Sequence, residues 1–187
     1  MLQQPGLVIL PWSAPAGLDP AQDPPPQSSR ASFAWVRQIL DLHQAAELGF
    51  AGCGPEGSRW LKWWRGRTIE VFEGIDASLL QTIRRPAGIM RMWQVFDAEE
   101  KRVGSFYRHV LFDGLGNIFA QLQEERAGRA RKFLTRSGFE LGAWEMRPDA
   151  VGRLTFAEPF NPFVRMNLLA KVLTLPPLPG DLGERGA

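Results

Sequence analysis

One segment near the C-terminus constrains the fold more than any other. It reads Asn161-Pro162-Phe163-Val164-Arg165-Met166-Asn167-Leu168-Leu169-Ala170-Lys171-Val172-Leu173-Thr174-Leu175 and runs into Pro176-Pro177. Asn161 suits a helix N-cap. Pro162 suits the first helical position, where the missing N–H is no loss, and the proline pair forbids continuation. The spacing predicts a helix of about three to four turns. Asn167, Lys171 and Thr174 form one narrow polar stripe, Arg165 lies near the start, and the rest of the circumference is apolar. A helix apolar nearly all round is buried in protein or inserted in lipid. This one is shorter than the roughly 20 residues a bilayer span needs, and Lys171 interrupts it. A β-barrel whose lumen the helix fills satisfies both facts.

The chain between Trp60 and Phe156 supplies strands for such a barrel. Thr68-Ile69-Glu70-Val71-Phe72 alternates and turns at Gly74-Ile75-Asp76. Ser78 to Ile83 alternates again until Arg84-Arg85-Pro86 stops it. Met92 to Phe96, Val103 to Arg108, Val110 to Phe112, Ile118 to Gln123, Phe139 to Met146 and Gly152 to Phe156 follow, separated by acidic or glycine-containing turns. Short strands at regular spacing with turn residues between them predict an antiparallel meander. Val71-Phe72-Glu73, Val95-Phe96-Asp97 and Leu111-Phe112-Asp113 make a weak repeat, which similar hairpins explain without a true duplication. Seven Trp and twelve Phe provide the buried area, and with Cys53 as the sole cysteine no intrachain disulfide can form.

Ahead of the strands, Trp35, Ile39, Leu42 and Ala46 recur at helical spacing, with Ser32 as an N-cap and Gly49 as a stop. The expectation is an additional N-terminal helix over 31–48. Residues 1–29, with Pro5, Pro11, Pro15, Pro20 and Pro24-Pro25-Pro26, read as a flexible proline-rich arm with Trp12 as an anchor. The domain expected is 30–176, with a tail over 177–187.

Candidate chemistry concentrates in cations beside aromatics. Trp60-Leu61-Lys62-Trp63-Trp64-Arg65-Gly66-Arg67 interleaves the two. Indoles at headgroup depth and cations at phosphate suit a membrane interface, and the same mix stacks on single-stranded nucleic acid. A strand with a buried Trp face and a solvated basic face is the plainer alternative, and it stays open. Arg84, Arg85 and Arg91 flank a proline bend and form one anionic-headgroup patch with Lys62, Trp63, Arg65 and Arg67 if the hairpins lie side by side; a solvated surface is the alternative. Arg126, Arg129, Arg131, Lys132 and Arg136 form a second basic cluster, read as a charged hairpin tip or as the contact for an anionic partner. No His/Cys cluster at metal-ligand spacing and no phosphate loop is present, so no catalytic residue, metal or cofactor is assigned. A Cys53–His pair remains open, against a turn cysteine between glycines. Net charge is +2.

The order of these features resembles the phospholipid scramblase family and, more distantly, LURP-one-related and tubby-like proteins. The resemblance spans most of residues 33–175. It rests on the segment Phe33 to Gln44, the basic-Pro step Arg84-Arg85-Pro86, the hairpins Val103-Gly104-Ser105-Phe106 and Gly116-Asn117-Ile118-Phe119, and the final helix. It implies a mainly β (α+β) fold: an antiparallel barrel of about twelve strands around a hydrophobic C-terminal helix. The family's Asp-rich candidate calcium segment reads here Phe156-Ala157-Glu158-Pro159-Phe160-Asn161-Pro162, with one carboxylate, and its Cys-rich runs are missing. Calcium-triggered, lipid-anchored behaviour is therefore not carried over.

The expectation is a non-enzymatic, scramblase-like lipid-binding module, cytoplasmic and peripheral at anionic membranes. It has no signal-peptide pattern and no apolar run long enough for a span. Its expected partners are an anionic phospholipid surface and a protein recruited by the proline-rich arm, with nucleic acid ranked below them. A soluble interaction scaffold or a nucleic-acid-binding protein using the same basic-aromatic surface is the alternative.

Overall fold

The computed structural model describes residues 1–11, 35–44, 46–53, 67–74, 76–86, 92–124, 130–146, 152–157 and 161–175. Among them are twelve strands: β1 (Gly6–Pro11), β2 (Trp35–Asp41), β3 (Glu47–Cys53), β4 (Arg67–Glu73), β5 (Ser78–Arg85), β6 (Trp93–Asp97), β7 (Arg102–Tyr107), β8 (Val110–Asp113), β9 (Ile118–Glu124), β10 (Ala130–Leu134), β11 (Glu140–Met146) and β12 (Gly152–Phe156). One helix, α1 (Pro162–Leu173), follows. Each strand pairs antiparallel with the next, and β1 pairs with β12, Leu7 opposite Leu154, to close the barrel. The mainly β barrel expected from the helix and the meander is the fold found.

Strand alternation sets the wall. On β4 and β5 the buried Ile69, Val71, Gln81 and Ile83 face the lumen, and Ile69 lies opposite Ile83. Met166, Leu168, Leu169, Ala170, Val172 and Leu173 of α1 are all buried and join these wall residues in one core. A wall on every side explains why the helix needs no solvent face. The helix starts as its sequence predicts, since Asn161 Oδ1 accepts from Phe163 N at 2.9 Å and Pro162 opens the first turn. Its stripe is not a solvent face. Asn167 is 1 % exposed, and its Nδ2 donates to Val103 O at 3.1 Å and Phe163 O at 2.8 Å. Arg165 Nη1 donates to Leu2 O at 2.6 Å and Gln4 O at 2.9 Å, so the helix start is tied to the segment entering β1.

Three hairpins close with the same turn. Asp97, Asp113 and Thr135 each donate their N–H to the carbonyl four residues on, at 3.0, 2.9 and 2.8 Å. Each side chain also accepts from that fourth residue's N–H, at 2.9, 2.8 and 3.0 Å. The residue just before that donor is left-handed in all three, φ being 62° at Glu100, 91° at Gly116 and 84° at Gly138. The weak repeat in the sequence is thus a repeat of turn chemistry.

Three expectations are corrected. The additional N-terminal helix over 31–48 is not formed by the described residues of that span, which are β2, a turn and the start of β3. Asp41, 2 % exposed, makes the turn by accepting the amides of His43 and Gln44, both at 2.7 Å. Those amides, Gln44's first, hold its carboxyl below the usual range. Gly6–Pro11, assigned to the proline-rich arm, is a barrel strand paired on both sides. Cys53 is not a turn residue: it ends β3 opposite Ile69, inside the core. Trp12 and the rest of the arm lie outside the described residues, as does the tail from residue 177.

A cationic and aromatic rim as candidate functional site

Successive strands run in opposite directions, so the two rims of the barrel differ in what they carry. At one rim β2–β3, β4–β5, β6–β7, β8–β9 and β10–β11 are joined by short turns. At the other, residues 12–34, 54–66, 86–92, 125–129 and 147–151 join the strand ends, with a tight turn at Arg108–His109. Longer connections gathered at one end of a rigid scaffold are where binding residues concentrate. The helix runs toward that end. Its first turn lies beside Leu2 and Gln4 at the short-turn rim, so Lys171, in its last turn, points the charge toward the long-connection rim.

Lys171 is 8 % exposed. Its Nζ sits 5.1 Å from the centroid of the Phe106 ring. Among the described residues it has no carboxylate partner. Burial first, then the nearby Arg131 guanidinium, lowers its pKa from 10.5 to about 8. Arg131 continues the inner face of β10, two residues from the fully buried Phe133 and opposite the buried Trp144. Its Nε bonds Glu124 Oε1 at 3.0 Å. Trp93, opposite Phe106 in the β6–β7 ladder, stacks on it at 6.3 Å between centroids and 18° between planes. Arg85 Cζ lies 6.0 Å over the Trp93 ring. Arg67 stands directly opposite Arg85 in the β4–β5 ladder. The inner wall at this rim therefore carries one run of cations and rings: Arg67, Arg85, Trp93, Phe106, Lys171 and Arg131.

A buried ammonium without a counter-ion among the described residues destabilises a fold. Elements that cost stability mark functional places more often than they mark neutral ones. Chemically, this run can hold an anion by charge-assisted hydrogen bonds, and the rings supply cation–π and apolar contact beside it.

Of the residues singled out from sequence, Arg67 and Arg85 are brought together here. Arg84 is not with them. It alternates to the outer wall, where Nη2 bonds Glu100 Oε1 at 2.5 Å and Cζ lies 5.0 Å over Phe96. Lys62, Trp63, Arg65 and Arg91 lie outside the described residues. Sequence reasoning missed Trp93 as a site residue, took Lys171 as part of a polar stripe and placed Arg131 on a hairpin tip. The signal for Lys171 was available, since a lysine within an otherwise apolar buried helix has to face something other than solvent. Among the described residues no cluster of three or more His, Cys, Asp or Glu could hold a metal, and no helix is long and apolar enough to cross a membrane.

No family model matches the chain, and no curated protein matches it. Two solved structures do. The X-ray structure of a protein from Arabidopsis thaliana aligns with a TM-score of 0.51 at 13 % identity, over 91 % of this chain and 89 % of that one. A mutant of S. aureus TarM aligns with a TM-score of 0.19 at 11 % identity, over 59 % of this chain and 18 % of that one, and carries no argument. The shared feature is the fold: this chain is built like the plant protein across nearly the whole length of both.

Proposed function

We propose that the protein is a non-enzymatic lipid-binding module that docks on anionic membrane surfaces by its long-connection rim. The observation that carries this reading is the convergence of Arg67, Arg85, Lys171 and Arg131 with Trp93 and Phe106 on one rim. Phosphate-bearing headgroups meet cations in such a setting, and aromatic rings sit at headgroup depth. Lys62, Trp63 and Arg65, the sequence neighbours of Arg67, and Arg91 extend the proposed contact. The resemblance to scramblases supports contact with lipid, and the proposal stops short of lipid transport.

A second reading, a protein-interaction scaffold, has one observation in its favour. The short-turn rim exposes Leu115 (88 %), Phe139 (57 %), Ile118 (50 %) and Phe163 (46 %). Single exposed apolar residues need no explanation, but several at one end suit a partner surface.

Co-sedimentation with neutral and anionic vesicles at low and moderate salt separates the two. The lipid reading expects binding to anionic vesicles only, weakened by salt because surface attraction is screened within about 10 Å at 0.1 M. It expects at least a tenfold loss in Arg67→Gln/Arg85→Gln and no loss in Arg84→Gln. Equal recovery with neutral vesicles, or none with either, sinks it.

A further inference from the structure

Away from the cationic rim, the outer wall carries a cavity of about 390 Å³ under the turn that joins β10 to β11. Ligand sites span about 300–1,000 Å³. Its lining includes Gln121 and Gln123 of β9, Leu134 of β10, and Thr135, Arg136 and Gly138 of the turn. Gln121 and Gln123 flank the buried Leu122, which belongs to the core, so both point outward. They and Arg136 are exposed, and among the described residues their side chains hold no hydrogen bond or ion pair. The neighbouring carboxylates are engaged elsewhere, Glu124 with Arg131 at 3.0 Å and Glu140 with Lys132 at 3.6 Å. No Asp or Glu lines the cavity, and Arg136 supplies its charge. The turn carrying Arg136 is braced: Thr135 Oγ1 accepts from Phe139 N at 3.0 Å and lies 2.9 Å from Ser137 Oγ, with which it shares a hydrogen bond. Phe139, next to Gly138, is 57 % exposed.

We infer that this cavity, with Phe139 beside it, binds an extended acidic segment of a partner protein that carries a carboxylate close to a large apolar side chain. Three observations fit that occupant. The described strands form a closed barrel, so none offers a free edge to a partner's backbone. The carboxamides of Gln121 and Gln123 supply what an edge would, because each can donate to a peptide carbonyl and accept from a peptide N–H. Two residues apart on one strand, they repeat at about 6.8 Å, the spacing at which an extended peptide turns its own amides to one side. The guanidinium of Arg136 offers a paired-donor fork to a carboxylate, with no acid in the lining to compete for it. Phe139 and Leu134 give the ligand's apolar side chain a surface that water leaves on binding. A braced turn and a barrel wall hold these groups in place before the peptide arrives. The inference needs nothing from the membrane reading, whose contact is the opposite rim.

The test selects a randomised, phage-displayed library of seven-residue peptides on the full chain, with the triple variant Gln121→Ala/Gln123→Ala/Arg136→Gln as the counter-selection. These side chains are exposed and hold no partner among the described residues, so the variant should melt where the wild type does. The enriched peptides should carry an Asp or Glu within two positions of an aromatic or large aliphatic residue. Made as fluorescent peptides, they should bind the wild type saturably. Arg136→Gln should weaken them at least tenfold, and so should replacing the peptide's own acid by its amide. Phe139→Ser should weaken them severalfold, and Arg84→Gln should leave them unchanged. No enrichment over the triple variant, a consensus without an acid, or wild-type affinity in Arg136→Gln overturns the inference. Self-association of the chain that Arg136→Gln abolishes, with no peptide enriched, gives the cavity to a second copy and overturns it too. The triple variant should keep wild-type binding to anionic vesicles, and Arg67→Gln/Arg85→Gln should keep wild-type binding to the peptides. Peptide binding lost in that rim variant moves the peptide to the other end of the barrel and overturns the inference, whereas vesicle binding lost in neither variant counts against the membrane reading alone.

Discussion

Lys171→Met raises the stability of the protein at neutral pH by roughly 2 kcal/mol, which at this chain length is a rise in Tm of roughly 4–8 °C. The cause is the cost of burying an ammonium that has no counter-ion among the described residues. In the fold its pKa falls from 10.5 to about 8, through burial and then through Arg131. Below pH 8 both folded and unfolded chains carry the proton, and the fold bears the whole penalty, roughly 3 kcal/mol at 1.36 kcal/mol per pH unit. Between about 8 and 10.5 the folded lysine sheds its proton while the unfolded one keeps it, so the wild-type protein gains stability as pH rises. Above 10.5 the penalty is gone. Losing the Phe106 cation–π contact offsets about 1 kcal/mol of the gain from the substitution. Thermal melts of the two proteins from pH 7 to 11 check this: the gap in Tm should close across the upper half of the range. A destabilised variant, or a gap that widens with pH, would mean that Lys171 has a partner that stabilises its charge.

The second large effect concerns how closely the helix meets the wall. A Cβ on Gly104 would run into the carboxamide of Asn167, with the side-chain oxygen nearest. Gly104→Ala therefore displaces either β7 or the Asn167 side chain with its bonds to Val103 O and Phe163 O, and costs about 3 kcal/mol. Asn167→Ala alone costs about 1–2 kcal/mol by leaving a buried carbonyl short of a donor. Together they cost less than the sum, by about 1 kcal/mol or more, because the truncated side chain no longer meets the new methyl. Urea unfolding of the four proteins gives the coupling. Strict additivity would place Gly104 and Asn167 out of contact and the helix away from β7.

Much of this architecture is legible in the chain, for identifiable reasons. The helix from Asn161 onward declares its own ends through a cap and prolines, and its shortage of polar residues demands an enclosure. The turns at Asp97 and Asp113 are written as side chains that accept their own backbone two and four residues on. The segment 31–48 misleads because a spacing of four, as from Trp35 to Ile39, is also an even number. It satisfies the period of a strand as well as that of a helix. Only closure of the barrel, with β2 between β1 and β3, decides between them.

The site was harder to see. Arg84 and Arg85 look like one basic patch in sequence, yet neighbours on a strand face opposite sides, so one joins the inner rim and the other pairs with Glu100 outside. Lys171 and Phe106 are distant in sequence and meet only because the helix doubles back into the lumen. No local pattern encodes that meeting.

In the proposed docking mode the long-connection rim faces the membrane. Cys53 is buried in the core, so an environment-sensitive fluorophore can be carried by a single introduced cysteine, either Arg108→Cys at that rim or Leu115→Cys at the short-turn rim. With anionic vesicles added, emission from the label at 108 should shift to the blue and become shielded from an aqueous quencher, while the label at 115 should stay as it is in solution. A shift at 115 without one at 108 would turn the molecule over and contradict the account.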